Sequence, residues 1–179
     1  MRMASRYLKI ALIFFVALQG LIGGFGNLAG LDTTYSAVAR VLSMEGVPES
    51  VPRVFALNAP VFIWIGACWI LVLKLVTGVT GTIGVVQLTR HRNGSTDAFQ
   101  SAKYWGLFAC GASILMLFGG FVVIGTTMLF MWRSDIGQTA FEGATYLLVC
   151  LGVVAVFVHM RDESVADGRG TGGQSAQHR

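Results

Sequence analysis

The chain has few charged residues. Of its 179 residues, 12% are charged, whereas a soluble domain usually carries about 25%. Hydrophobic residues make up 54%, and the mean hydropathy is +0.67. So little charge cannot cover a water-facing surface, and the composition also excludes a disordered chain, a nucleic-acid-binding domain and a disulfide scaffold. We therefore predict an integral membrane protein.

The sequence also lacks the common signatures of enzymes. It contains no G-x-S-x-G elbow, P-loop, H-E-x-x-H motif or paired carboxylates. The three cysteines, Cys68, Cys110 and Cys150, share no C-x-x-C spacing and lie in apolar runs, as expected of small packing residues. We predict a non-enzymatic protein without a metal or cofactor.

Four segments are apolar enough to span a hydrocarbon core of about 30 Å, which needs about 20 residues per helix. A loop of residues 29–59 follows the first segment, and residues 161–179 are polar and glycine-rich, which predicts a disordered tail. The fold class is therefore all-α, an integral membrane four-helix bundle. Its predicted spans are residues 10–28, 60–88, 104–129 and 144–159.

Basic residues fix the predicted orientation. All Lys and Arg residues outside the spans except Arg40, Arg53 and Arg133 flank the side that carries both termini. Because cytoplasmic flanks are enriched in Lys and Arg, both termini are predicted to be cytoplasmic. This fits an even number of spans.

The 29–59 loop has helical spacing in its first half. Tyr35, Val38 and Leu42 recur at three- and four-residue intervals, with Asp32 or Thr33 as a candidate cap. A second short helix, with Pro52 in its first turn, is expected to lead into the next span. The loop is either a lid over the bundle or a docking surface for a partner.

Lys74 is the one charge within an otherwise apolar span. Counted from Val61 over about 20 residues, it lies about six residues from the cytoplasmic boundary, within reach of the head groups. Alternatively it lines a polar intramembrane site with Thr77 and Thr80. No carboxylate lies within a predicted span, so its partner would be a carbonyl, a hydroxyl, water, a lipid phosphate or another subunit.

Two histidines lie at cytoplasmic helix ends, where both could in principle ligate a haem. His91 stands in a basic TRHR run and His159 closes the last span. A haem site needs both rings to enter the bundle, whereas a cation at a helix C-terminus is favourable without any ligand. Structural histidines at the membrane interface are the favoured interpretation.

Glycine is unusually frequent. The chain has 23 glycines, a share of about 13% against an average of about 7%. Small residues allow the close helix contacts on which packing in a bilayer depends. This could serve the bundle itself or docking against a larger subunit. The candidate helix-packing residues are Gly20, Gly24, Gly78, Gly81 and Gly84.

Several segments together resemble a bacterial family of predicted small integral membrane proteins, domain of unknown function 2165. These segments are RYLKI, VARVLSMEG, AFQSAK, GGFVVIGTTMLFMWRS and GQTAF. The resemblance covers about 160 residues. It implies a bacterial inner-membrane protein with four spans and both ends in the cytoplasm. The family pattern has a Glu-Trp pair where this chain has Thr127 and Met128, and an acidic residue in place of Lys74.

These features predict an accessory or stabilising subunit of a larger membrane complex, with the bilayer and a membrane protein as partners and no nucleic acid. A small carrier, channel, or lipid- or quinone-binding protein built around Lys74 is the alternative. A b-type haem carrier that uses His91 and His159 is the third hypothesis.

Overall fold

The structure, a computed structural model, describes residues 2–162. All regular elements in this range are helices, and four of them are long and apolar enough to cross a membrane: Met3–Ala29, Pro60–Arg90, Thr96–Thr127 and Asp135–His159. The predicted all-α membrane fold with four spans is thus confirmed. Of the predicted tail, Arg161 and Asp162 are described, and residues 163–179 lie outside the described range.

Seven α-helices follow one another within residues 2–162, with a π-helical segment in the third span. The third span consists of α4 (Thr96–Ala102), α5 (Tyr104–Ile114), the π-helical segment Leu115–Ile124 and the short α6 (Gly125–Thr127) in succession. A single 3₁₀ turn, Met131–Arg133, precedes the last helix. The α-helices are α1 (Arg2–Ala29), α2 (Leu31–Leu42), α3 (Pro60–Arg90), α4 (Thr96–Ala102), α5 (Tyr104–Ile114), α6 (Gly125–Thr127) and α7 (Asp135–His159).

The four spans run up and down, so the beginning of α1 and the end of α7 meet. There the Ser5 hydroxyl donates to Asp162. We call this end, which also carries the α3–α4 turn, the basic end, and the opposite end the loop end. Helix α1 packs mainly on α3, α3 on α5, and both α5 and the π-helical segment on α7.

The α1–α3 and α3–α5 contacts are backbone to backbone. A Cβ atom added to Gly20 would lie 2.5 Å from the Gly78 nitrogen, and one added to Gly81 would lie 2.8 Å from the Ala17 Cβ. One added to Gly84 would lie 2.6 Å from the nitrogen of Gly106, on α5. Glycine is therefore required at these positions, because any side chain would force the helices apart.

The other predicted packing glycine, Gly24, also lies at the α1–α3 contact. A Cβ atom there would lie 2.8 Å from Leu75 Cδ2. All five glycines singled out in the sequence thus lie at contacts within the bundle. Gly23 and Gly106, which the sequence analysis did not select, take part as well.

The last span is longer than predicted. It begins at Asp135, nine residues before the predicted start at 144. The Ser134 hydroxyl accepts a hydrogen bond from the Gly137 amide at 3.1 Å, and Asp135 places a negative charge in the first turn. Both features stabilise a helix N-terminus, and this local signal outweighs the polar character of the first turns.

The loop of residues 29–59 folds over the loop end. Helix α2 lies across the start of α3, where Tyr35 and Trp64 have ring centroids 4.9 Å apart. The predicted second short helix was wrong, because residues 50–59 are not helical and Pro60 occupies the first turn of α3. The middle of the loop instead contributes Met44, Val47 and Val51 to a buried apolar cluster with Leu129 and Met131.

We expect Gly20→Ala to lower the stability of the bundle by about 1–3 kcal/mol, because the new methyl group overlaps the backbone of α3. Gly152→Ala is the matched control, since a Cβ atom there meets nothing within 4 Å, and it should be neutral. Thermal unfolding of the purified protein in detergent measures both. Equal melting temperatures for the two variants would contradict the proposed close approach.

Candidate functional sites

A buried ion cluster joins three segments at the basic end. Asp162 accepts from Lys9 at 3.2 Å and from Lys103 at 2.8 Å. Both ammonium groups also donate to the Met160 carbonyl, at 2.7 and 2.9 Å. The side chains are 2%, 1% and 6% exposed for Lys9, Lys103 and Asp162. One carboxylate thus holds together the first, third and fourth spans.

Arg6 extends this cluster to the α3–α4 turn. Its Nη1 donates to the carbonyls of Arg92 at 2.7 Å and Gly94 at 2.8 Å. The guanidinium lies 4.7 Å from the ring centroid of Phe99, and the Lys103 ammonium lies 5.5 Å from the same centroid. Phe99 is fully buried, so this aromatic ring packs among the cations and adds cation–π attraction.

The cluster is electrostatically coupled. Burial by itself raises the pKa of Asp162, but the hydrogen bonds and charges of Lys103 and Lys9 outweigh it, so that the pKa lies below its ordinary value. Lys103 donates to Gln100, Met160 and Asp162 and so uses all three of its donors. A cluster this fully bonded stabilises the fold and leaves little capacity for a ligand.

Sequence reasoning missed this cluster because Asp162 was assigned to the predicted disordered tail. At this residue the prediction was wrong, since Asp162 is buried and bonded. The available signal was its position, as the first carboxylate after the last span on the side rich in Lys and Arg. A buried cation needs a paired anion, and few acidic residues lie on that side.

Lys74 lies between α3 and α1. Its Nζ donates to Asn27 Oδ1 at 3.4 Å. When the amide is oriented to satisfy both of its groups, this distance is 3.2 Å and the Asn27 nitrogen donates to the Gly23 carbonyl at 3.3 Å. The Lys74 stem passes over Gly23, where a Cβ atom would lie 3.3–3.4 Å from Cδ, Cε and Nζ. Neither Asn27 nor Gly23 was selected from the sequence.

The ammonium of Lys74 points away from the basic end, so the predicted reach to the cytoplasmic boundary was wrong. Helix α3 has 31 residues and is about 46 Å long, well above the hydrocarbon thickness of about 30 Å. Its first turns extend beyond the end of α1 and pack under α2. Depth counted from Val61 therefore misplaces Lys74, which lies about 24 Å from Arg90 and close to the loop-end boundary.

Thr77 and Thr80 do not join Lys74 in one site. The Thr77 hydroxyl shares a hydrogen bond of 3.0 Å with Ser113 on α5. Thr80 donates to the Val76 carbonyl of its own helix at 2.6 Å. Both hydroxyls are thus used within the bundle, whereas Lys74 faces α1. The predicted polar site is reduced to Lys74 with Asn27.

The two candidate haem ligands lie on the surface. Both His91 and His159 are exposed, and the His91 Nδ1 lies 2.9 Å from the Gln87 carbonyl of its own helix. Neither ring enters the bundle, where a haem would be held. In the part of the chain that the structure describes, no three His, Cys, Asp or Glu side chains are grouped as a metal site.

The described architecture is that of a small, multi-pass integral membrane protein whose charged groups lie toward both ends of a glycine-packed bundle. A family model confirms this class. The chain belongs to the family of predicted small integral membrane proteins, domain of unknown function 2165, whose model matches residues 5–161. No curated protein matches the chain, and no solved structure does.

We expect Asp162→Asn to destabilise the protein by about 3 kcal/mol, because it leaves two buried lysines without a counter-charge. Asp97→Asn is the matched control. Asp97 pairs with Arg161 at the same end, but the two side chains are 84% and 76% exposed, so its loss should cost less than about 1 kcal/mol. Chemical unfolding in micelles measures both, and equal losses would contradict the role of burial.

The same carboxylate should give the protein acid sensitivity. A pKa that is lower in the folded state stabilises the fold above the unfolded pKa, and this contribution disappears as pH falls through the folded value. The stability difference between the wild type and Asp162→Asn should therefore be full at neutral pH and shrink below about pH 4. Melting curves of both proteins from pH 7 to pH 3 measure it, and a constant difference would refute this assignment.

Proposed function

We propose that this protein is a non-enzymatic accessory or stabilising subunit of a larger membrane complex in the bacterial inner membrane, with both termini in the cytoplasm. The orientation rests on the excess of Lys and Arg at the basic end. The non-enzymatic character rests on the lack of catalytic motifs in the sequence. The accessory role rests on the outward face of α7.

Helix α7 has the smallest buried share of the four candidate spans. Its outward face is flanked on opposite sides by two glycines, Gly143 and Gly152, which are nine residues apart and at which an added Cβ atom would meet nothing within 4 Å. Large exposed side chains stand between and beside them, among them Tyr146, Val149 and Val153. Small residues next to large ones form the notches into which a neighbouring transmembrane helix packs.

The glycines inside the bundle do not support this role, because contacts among α1, α3 and α5 already account for them. Gly143 and Gly152 have no such explanation among the described residues. A partner helix would pack into the notch at Gly143 or into the notch at Gly152, and it would replace lipid contacts by protein contacts along the least buried span.

We expect a complex of defined mass when the protein is purified from gently solubilised native membranes. Gly143→Leu combined with Gly152→Leu should abolish the complex, because leucine fills both notches, and should leave the protein folded. Gly26→Leu is the control, since a Cβ atom at Gly26 also meets nothing within 4 Å but lies on α1. Native mass spectrometry measures the assembly.

Two results would contradict the proposal, the first its accessory role and the second its α7 surface. The first is recovery of the wild type only as a lone monomer or as a complex of identical chains. The second is a complex that survives the α7 substitutions but is lost with Gly26→Leu, which would place the partner on another helix.

A further inference from the structure

Lys74 is a half-buried cation without an ion-pair partner in the described part of the chain. Arg6 has no carboxylate partner either, but it donates to two backbone carbonyls. Lys9 and Lys103 share the carboxylate of Asp162 and donate to a carbonyl as well. Lys74 makes one hydrogen bond, to a neutral amide at 3.4 Å, and takes part in none of the ion pairs among residues 2–162. Two of its three ammonium donors therefore remain to be satisfied.

Contacts with α1 fix the position of the Lys74 ammonium. Gly23 has no side chain, so the Lys74 stem lies directly against the α1 backbone. Asn27, one turn further along α1 toward the loop end, accepts a hydrogen bond from the Lys74 Nζ. The side chain is thus fixed between two helices at a defined height, and it does not extend freely along the bundle surface.

That height is the level of lipid head groups. Lys9 belongs to the ion cluster at the basic end, and Asn27 lies 18 residues further along α1, a distance of about 27 Å. A hydrocarbon core of about 30 Å that begins near the basic cluster therefore ends near Asn27. Lipid phosphates lie just beyond this boundary, within reach of the Lys74 ammonium.

The surroundings suit the rest of a lipid molecule. The outward faces of both helices are apolar near this level, with Ile22, Phe25 and Leu28 exposed on α1 and Val72 exposed on α3. These apolar side chains offer a surface for acyl chains below a charged head. A lysine is a compact point charge that binds phosphate well, and no carboxylate of the described chain competes for it.

We propose that Lys74 and Asn27, in the notch above Gly23, bind the anionic phosphodiester head group of a membrane lipid at the loop end of the bundle. Two ammonium N–H groups donate to phosphate oxygens, and the Asn27 amide positions the ammonium. The site is independent of the accessory role, because it lies between α1 and α3 and not on α7.

The test uses the whole protein in nanodiscs of phosphatidylcholine that contain a minor fraction of phosphatidylglycerol. Native mass spectrometry measures the phosphatidylglycerol that each protein retains. We expect Lys74→Met to retain about fivefold less than the wild type, the loss that corresponds to one cation at a membrane surface. Lys74→Arg should retain as much as the wild type.

Two further variants locate the site. Gly23→Ala should weaken retention, because its methyl group displaces the Lys74 stem while keeping the charge. Arg133→Met is the matched control, since Arg133 is an exposed cation at the same end, and it should retain the lipid. The melting temperature of each variant is measured alongside. If Lys74→Met does not fold, the test is the comparison of lipid retention between Lys74→Arg and Gly23→Ala.

Inorganic phosphate distinguishes a lipid from a free anion. If millimolar phosphate in lipid-free detergent raises the melting temperature through Lys74 as much as phosphatidylglycerol does, the ligand is a free anion and the lipid assignment is overturned. Equal retention by the wild type, Lys74→Met and Gly23→Ala would overturn the site itself. Loss of the α7 complex in the earlier experiment would leave this result unchanged, so the two proposals fail separately.

Discussion

The close approach of α1 and α3 is the constraint on which the rest of the structure depends. In a bilayer, lipid tails are as apolar as side chains, so helices gain by packing only when their backbones come near. Gly20, Gly78 and Gly81 permit that approach. The resulting register places Gly23 under Lys74 and brings Gly84 against α5. The position of Lys74 is thus set by glycines rather than by its own charge.

The cations at the two ends of the bundle differ in their partners. At the basic end three cations, Arg6, Lys9 and Lys103, all have partners. These partners are the carboxylate of Asp162, two backbone carbonyls of the α3–α4 turn and the carbonyl that follows α7. At the loop end Lys74 has a single neutral partner, Asn27. The first arrangement is closed and stabilises the fold, whereas the second is open to an anion from outside the chain.

The number and type of spans could be predicted from the sequence because apolar length and the scarcity of charge are properties of single segments. The packing glycines could be found for the same reason, since their spacing along one helix is visible. The partner of Lys74 could not, because it depends on the register between two helices. Asp162 was missed because it looks like its neighbours in the tail, and only its contacts with α1 and α5 distinguish it.

The position of Asp162 changes where the membrane domain ends. The helix stops at His159, and a boundary drawn from secondary structure would fall there. Within residues 2–162, the last residue that holds the spans together lies three positions further on, outside any helix. A shortened chain that keeps all four complete helices but stops at Met160 would lose the counter-charge of two buried lysines, so the folded unit is delimited by an ion pair and not by a helix.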